Sequence, residues 1–336
     1  MRQPRLTFFC ELEADALKAL FADRAVIDDL AALEASVSLG ILDLSAERAE
    51  VVRALNGAGI PVIAWQLLPK EQGYWFNLGN ALQAAARYTE FKRWTEEHAL
   101  RWDGVGLDIE TDIREMQELA ADRWSLVPTV LGRAFDAERL RRAQAQYTAL
   151  VAQIHADGYR VDSYLMPFIV DERRAGSTLV QRLAGLVDIP VDREVLMLYT
   201  SFFRPRGPAI LWSYAADTDS VGVGVTGGGV DLEGTADKRF LDGEELCRDL
   251  LLAQRHTDDI HVFSLEGCVE QGFLARLREF DWAQPVTVPL AMAAQVETWR
   301  KALRAGLWAS AHPWLVLGGA AAVLALVRRL RRSQAT

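Results

Sequence analysis

The strongest constraint on the fold is a regular alternation of strand-like and helix-like segments along most of the chain. Apolar runs of strand length recur about eight times over roughly 280 residues, and a stretch with helical periodicity follows each of them. Such alternation favours a parallel sheet, and eight repeats of this size are typical of a (β/α)8 barrel. An open doubly wound sheet is the alternative, but no Gly-x-Gly-x-x-Gly follows the first strand. We therefore predict an α/β chain in which residues 1–284 form a TIM barrel.

Local signals set the limits of several elements. The first helical run, 14–35, is expected to break near Asp23. Ser45 is expected to cap the helix after the second strand, because a hydroxyl at that position accepts a hydrogen bond from the first helical turn. Residues 111–136 carry no clear periodicity, so we expect them to be irregular.

The fourth predicted strand carries two acidic residues on one face. In the stretch 102–110, Gly106, Asp108 and Glu110 alternate with apolar residues, and side chains two apart on a strand share a face. Two carboxyl groups on a buried strand are costly unless they are paired, hydrated or used. Their crowding also favours keeping a proton near neutral pH. The pattern predicts an acid–base site; the alternative is a strand end whose acids meet solvent or cap the next helix.

Further polar and aromatic residues stand where the other predicted strands end. In a barrel the carboxyl-terminal strand ends meet at one mouth and carry the chemistry, so we expect these side chains to converge. Rings that stack on apolar sugar faces, and carboxyl and amide groups that bond hydroxyls, suit a carbohydrate site. The candidates are Glu11, Asp43, Trp65, Gln66, Glu110, Tyr164, Tyr199, Thr226 and Glu266.

Composition argues against several other classes of function. The net charge of -9 does not suit a nucleic-acid partner, which requires a basic surface. Three cysteines are too few, and odd in number, for a disulfide framework. Neither Cys-x-x-Cys nor His-Glu-x-x-His occurs, so we predict no metal site and no cofactor. A phosphate-sugar or metal-dependent sugar enzyme remains an alternative, because Gly227-Gly228-Gly229 follows the seventh strand and the mouth is rich in carboxylates.

The C-terminal region predicts a membrane anchor. Residues 307–327 contain no charged side chain over 21 positions, close to the length that spans a bilayer, and four arginines follow. We therefore divide the chain into the barrel, a linker at 285–304 and a transmembrane helix with a basic tail at 305–336. A helix packed on the barrel or on a second copy is the alternative. The arginines favour an extracytoplasmic barrel and the absence of a visible signal peptide favours a cytoplasmic one, so the side stays open.

The strand-four residues also resemble a known motif. Asp103, Gly104, Gly106, Asp108 and Glu110 are similar to the Asp-Gly-x-Asp-x-Asp-x-Glu sequence of family-18 glycoside hydrolases, the chitinase-like barrels. The resemblance implies a carbohydrate substrate, Glu110 as the proton donor to the glycosidic oxygen and Asp108 as its partner. It covers two short motifs and the barrel.

The second motif lies on the sixth strand. Met197 and Tyr199 fit the family's Met-x-Tyr, which implies that the Tyr199 hydroxyl steadies the N-acetyl carbonyl of the substrate. The chain departs from the family where Gly106 replaces an Asp, where Thr200 follows the tyrosine, and where Glu266 stands in place of a tryptophan.

The departures leave the mechanism and the activity open. Either the substrate's N-acetyl oxygen is the nucleophile, or a second carboxylate takes that part, with Glu266, Glu11 and Asp43 as candidates. A further alternative is a membrane-tethered carbohydrate-binding barrel without catalysis, although retention of Glu110 argues against it.

Overall fold

The computed structural model describes residues 3–122, 125–229 and 240–317. Eight parallel strands close into a barrel in which each strand pairs with its neighbours in sequence and the last pairs with the first. The predicted (β/α)8 barrel is confirmed. The strands are β1 (Arg5–Cys10), β2 (Ser36–Ile41), β3 (Val62–Gln66), β4 (Gly104–Asp108), β5 (Val161–Leu165), β6 (Arg193–Met197), β7 (Ser220–Gly224) and β8 (Asp259–Phe263).

Helices follow the strands, and two of the predicted helix limits are confirmed. The Asp23 carboxylate accepts a hydrogen bond from the Ala25 N–H and separates the first two helices. The Ser45 hydroxyl accepts one from the Arg48 N–H at 3.2 Å. The helices are α1 (Ala14–Ala22), α2 (Arg24–Ala32), α3 (Ala46–Gly57), α4 (Ala81–Glu97), α5 (Ile113–Ala121), α6 (Val127–Arg133), α7 (Ala137–Ala156), α8 (Phe168–Ala175), α9 (Leu179–Ala184), α10 (Gly207–Ala215), α11 (Gly243–Ala253), α12 (Leu265–Glu270), α13 (Phe273–Arg278) and α14 (Leu290–Ala311).

The sequence suggested that residues 111–136 are irregular. This prediction is wrong, because the segment contains α5 and α6. The Asp112 carboxylate caps α5 by accepting a hydrogen bond from the Arg114 N–H at 3.0 Å. An ion pair between Arg133 and Glu115 then joins the two short helices. These polar contacts stabilise helices too short for a clear apolar periodicity.

Side chains alternate between the interior of the barrel and the surrounding helices. In β1, Leu6 and Phe8 pack in the large outer core, whereas Phe9 lies inside the barrel. The Phe9 ring packs against Tyr164 at 4.7 Å and against His261 at 5.4 Å between ring centres. These three rings fill the middle of the barrel between its two ends.

An ion-pair cluster occupies the amino-terminal end of the barrel. The Arg193 guanidinium donates to both carboxyl oxygens of Asp162 on the neighbouring strand and, at 2.6 Å, to Asp259 on β8. Both aspartates are buried. The arrangement gives each buried carboxylate a cationic partner, which is what such a group requires.

The C-terminal helix α14 packs against α8 and α10. Arg300, which is buried, donates to the buried Asp171 carboxylate at 3.0 Å and to the Ser213 carbonyl at 2.6 Å. The division proposed at residue 304 falls inside this helix, and most of the segment 285–304 is helical. The buried ion pair between Arg300 and Asp171 fixes this segment to the barrel.

The predicted membrane span extends beyond the part of the chain that the structure describes. Residues 318–336 lie outside the described ranges, and within those ranges no helix combines the length and the apolar character needed to cross a bilayer.

Candidate active site

The two acids of β4 lie together at the carboxyl-terminal mouth of the barrel. Asp108 is 2 % exposed, and its Oδ2 accepts a hydrogen bond from the Trp65 indole Nε1 at 3.0 Å. Beyond β4 the backbone of Phe76 donates to the Asp108 carbonyl at 2.8 Å and accepts from the Glu110 N–H at 3.1 Å. This extra pairing continues the extended conformation as far as Glu110, so both carboxyl groups face the same side.

Burial keeps this pair of acids partly protonated near neutral pH. Burial raises the pKa of Glu110 to about 7, against the effect of its hydrogen bond with Asp108. Burial also raises the pKa of Asp108, and the neighbouring charges of Glu110 and Glu11 raise it further. Two carboxyl groups that cannot both ionise share a proton. The pair can therefore deliver a proton at neutral pH.

Tyr164 explains why Gly106 is tolerated beside these acids. A Cβ at Gly106 would lie 2.3 Å from the Tyr164 hydroxyl oxygen, so the phenol occupies the space that a larger side chain would need. That hydroxyl is 2.6 Å from the Ser38 Oγ, and Tyr164 is buried. Tyr164 therefore forms the floor beneath the acids, deeper in the barrel than the position at which a substrate would bind.

Glu11, directly after β1, is the third acid at the mouth. The Tyr74 hydroxyl donates a hydrogen bond to its Oε1. Burial raises the pKa of Glu11 to about 8, with the charges of Glu266 and Glu110 acting in the same direction. Tyr74 was not among the predicted site residues. The aromatic sequence 74–76 after β3 is the feature of the sequence that could have identified it.

Glu266 is the fourth acid, and it lies in the first turn of α12, two residues beyond the Ser264 cap, not at the end of β8. It is next to the Cys10 thiol and the Glu11 backbone, and burial raises its pKa to about 7. A Cβ at Gly228 would lie 2.2 Å from Glu266 Oε1. Close packing against Glu266 therefore explains Gly228, whereas Gly227 packs against Gly267 and Gly229 against Phe263.

Tyr199, just beyond β6, faces three of these acids, Asp108, Glu110 and Glu11. Burial raises the pKa of its hydroxyl, and the charges of Asp108, Glu110 and Glu11 raise it further, in that order. Its ring packs against Phe263 at 5.6 Å and against Phe202 at 5.9 Å. The structure thus brings Tyr199 beside Asp108, Glu110 and Glu11.

Aromatic side chains lie on two sides of the four acids. Trp75 packs edge-on against Tyr74 at 5.3 Å. On the β6 side Phe202 is 66 % exposed and Phe203 is 40 % exposed. Flat apolar rings beside carboxyl groups form a surface on which a sugar ring can stack while its hydroxyls meet the acids.

Two predicted site residues are engaged elsewhere, and a third points away from the mouth. Asp43 binds the Arg48 guanidinium at 2.7 Å, which lowers the pKa of Asp43 to about 2 against the effect of burial. Gln66 pairs with Leu107 and so points to the outer face of the barrel, opposite Trp65. The Thr226 hydroxyl donates to the Ser264 carbonyl at 2.9 Å and joins β7 to β8. The contacts of Asp43 and Thr226 do not involve the four acids.

No group of three or more His, Cys, Asp or Glu within the described ranges is placed so as to hold a metal ion.

Comparison with known proteins assigns the chain no family. No protein-family model matches the sequence, and no curated protein does. The PgaB (BpsB) glycoside hydrolase domain from Bordetella bronchiseptica is 12 % identical, with 82 % of this chain and 98 % of that chain covered and a TM-score of 0.49. A chitinase from Chromobacterium violaceum is 13 % identical, with 80 % and 99 % covered and a TM-score of 0.44. An L-ribulose 3-epimerase is 14 % identical, with 90 % and 97 % covered and a TM-score of 0.42.

Proposed function

We propose that the protein is a glycoside hydrolase acting on a poly- or oligosaccharide, with Glu110 as its general acid. The observation that carries this proposal is the Asp108–Glu110 pair at the barrel mouth, in which the Trp65 indole fixes the inner carboxyl and the outer one is left half-buried. A glycosidic oxygen must receive a proton as its bond breaks. An acid whose pKa lies near the working pH is suited to supply it.

The surroundings of Glu110 support the same reading. Asp108 shares a proton with Glu110 and can stabilise positive charge that develops on the sugar. The Tyr199 hydroxyl faces both carboxyl groups, and the exposed Phe202 ring offers a stacking surface. An amino sugar whose N-acetyl group meets Tyr199 is the substrate that the strand-four and strand-six motifs favour.

Replacement of Glu110 tests the proposal directly. We expect Glu110→Gln in the full chain to fold normally and to lower kcat/KM on aryl glycosides with poor leaving groups by about 10²–10⁴, the usual contribution of a general acid. The exposed Glu118→Gln on α5 is the matched control. Full activity of Glu110→Gln would exclude this site assignment, and sugar binding without any hydrolysis by the unsubstituted protein would favour a binding barrel.

We also propose that residues 307–327 attach the protein to a membrane. The segment has no charged residue, and Trp308, Trp314 and Leu317 are exposed in the part that the structure describes. Sedimentation of the full chain with membranes after a carbonate wash, compared with Leu315→Glu/Leu317→Glu, tests this. Recovery of the unsubstituted chain in the supernatant would contradict it. Protease access to the barrel in sealed vesicles would identify the side.

A further inference from the structure

We infer that Glu11 is the second catalytic carboxyl group of the site and acts as the general base that activates water opposite Glu110. The inference rests on the proposed glycosidase activity and concerns its mechanism. It replaces a reaction assisted by the substrate's N-acetyl group with one that uses two protein carboxyls.

The position of Glu11 is the first reason. Phe9 points into the barrel, so Glu11, two residues later, faces the mouth from β1. The charges of Glu110 and Glu266 both act on Glu11, and the charge of Glu11 acts on Asp108. Glu11 therefore lies within reach of both the proton donor and the remaining acid of the mouth.

The way Glu11 is held is the second reason. Tyr74 donates a hydrogen bond to Oε1, which orients the carboxyl group and favours its ionised form. Oε2 has no hydrogen-bond partner among the described residues, and Glu11 is partly exposed. A Cβ at Gly229 would still lie 3.7 Å from Oε2. One oxygen is thus fixed and the other is open to the mouth, as a base that receives a proton from water requires.

The departures from the chitinase-like motif are the third reason. Gly106 stands where that family has an Asp, and the phenol of Tyr164 fills the space. Glu266 and Glu11 add two carboxyl groups to the mouth that an N-acetyl-assisted reaction does not need. The geometry suits a reaction that uses carboxyl groups from β1 and β4.

The way Glu11 is held suits a base. Tyr74 fixes Oε1, and the open Oε2 can take a proton from a water molecule at the mouth. In the proposed step Glu11 Oε2 takes a proton from water, and the water oxygen bonds to the anomeric carbon. The bond from that carbon to the glycosidic oxygen breaks, and the Glu110 proton passes to the departing oxygen. One water is consumed, and the anomeric configuration inverts.

Leaving-group dependence and product stereochemistry test this assignment in the full chain. Glu11→Gln should lower kcat/KM by about 10²–10⁴ for aryl glycosides with good and with poor leaving groups alike. Glu110→Gln should spare a dinitrophenyl glycoside, whose leaving group needs no proton, and should lose activity on a methylphenyl glycoside. Proton NMR of the first product should show inversion. The exposed Glu13→Gln is the matched control.

Tyr74→Phe keeps the inference testable if Glu11→Gln fails to fold. Tyr74 is a positioning residue, and the groups that face Glu11 are Tyr74, Glu266, Glu110, Asp108, Lys70 and Cys10. Loss of its hydrogen bond should raise the pKa of Glu11, so the acidic limb of kcat/KM against pH should move upward while KM changes little. An altered fold alone would not move that limb.

Two results would overturn the inference. One is activity of Glu11→Gln within about tenfold of the unsubstituted protein, and the other is retention of configuration. Retention with loss of activity in Glu110→Gln would leave the glycosidase proposal intact and return the nucleophile to the N-acetyl group or to another carboxylate. Full activity of Glu110→Gln would instead fail the proposed function itself.

Discussion

The two ends of the barrel bury carboxyl groups in opposite ways. At the amino-terminal end Asp162 and Asp259 share the Arg193 guanidinium. At the mouth Glu11, Asp108, Glu110 and Glu266 form no ion pair with any described lysine or arginine, and their hydrogen bonds include those from a tyrosine and an indole. Neutral donors compensate a carboxylate less than a guanidinium does. The first cluster is therefore suited to stability, whereas the second is left able to exchange protons.

Removal of the shared guanidinium should give the largest change in stability. Arg193→Met leaves Asp162 and Asp259 buried without their cation, and we expect the free energy of unfolding to fall by about 3–5 kcal/mol. Urea denaturation of the full chain measures it, with the exposed Arg24→Met as control. A loss below about 1 kcal/mol would show that this end tolerates an uncompensated charge as the mouth does.

At the mouth, removal of an acid should increase the free energy of unfolding at high pH, whereas removal of Arg193 should decrease it. The pKa of Glu266 is raised from 4.5 to about 7 in the folded protein, so the folded state binds more protons than the unfolded state between those values. Stability from this group is present below pH 4.5 and is lost as pH rises through 7. We therefore compare the free energy of unfolding of Glu266→Gln with that of the unsubstituted protein at each pH. The difference should shift in favour of the variant by about 1–3 kcal/mol between pH 4.5 and pH 8.

The control for that comparison is Glu279→Gln, an exposed acid on the barrel surface. It should show the same pH dependence of unfolding as the unsubstituted protein. Equal pH dependence in Glu266→Gln would mean that the carboxyl group is compensated in a way that the described contacts do not include.

The layer between the two clusters offers a smaller test. Gly106→Ala would place a Cβ against the Tyr164 hydroxyl, and overpacking of this kind costs about 1–3 kcal/mol. Tyr164→Ala removes the obstacle, so the double variant should be no less stable than Tyr164→Ala alone. Additive losses, measured by the same denaturation, would show that Tyr164 does not define the space beside Asp108.

The sequence was sufficient to predict the barrel and the acidic pair, because both depend on local periodicity. Strand and helix lengths repeat along the chain, and alternation along β4 places Asp108 and Glu110 on one face. The same alternation shows why Trp65 and Gln66 could not both face the mouth, since adjacent strand residues point in opposite directions.

The remaining errors come from contacts that periodicity does not contain. Asp43 meets Arg48, a residue one helical turn into α3. Glu266 belongs to the helix that follows β8. Tyr74 reaches Glu11 from a loop 63 positions later in the chain. The first two depend on where a helix begins after its strand, and the third is a long-range pairing that exists only in the folded arrangement.

The buried Arg300 makes the last described helix part of the barrel. The buried Asp171 on α8 precedes Arg300 by 129 positions in the chain. It therefore lacks this partner until α14 has been synthesised. A chain shortened to residue 284 would keep all eight strands and lose Arg300, leaving the Asp171 carboxylate without this cation. A shortened protein prepared for crystallisation or assay should therefore extend at least through Ala311, where α14 ends.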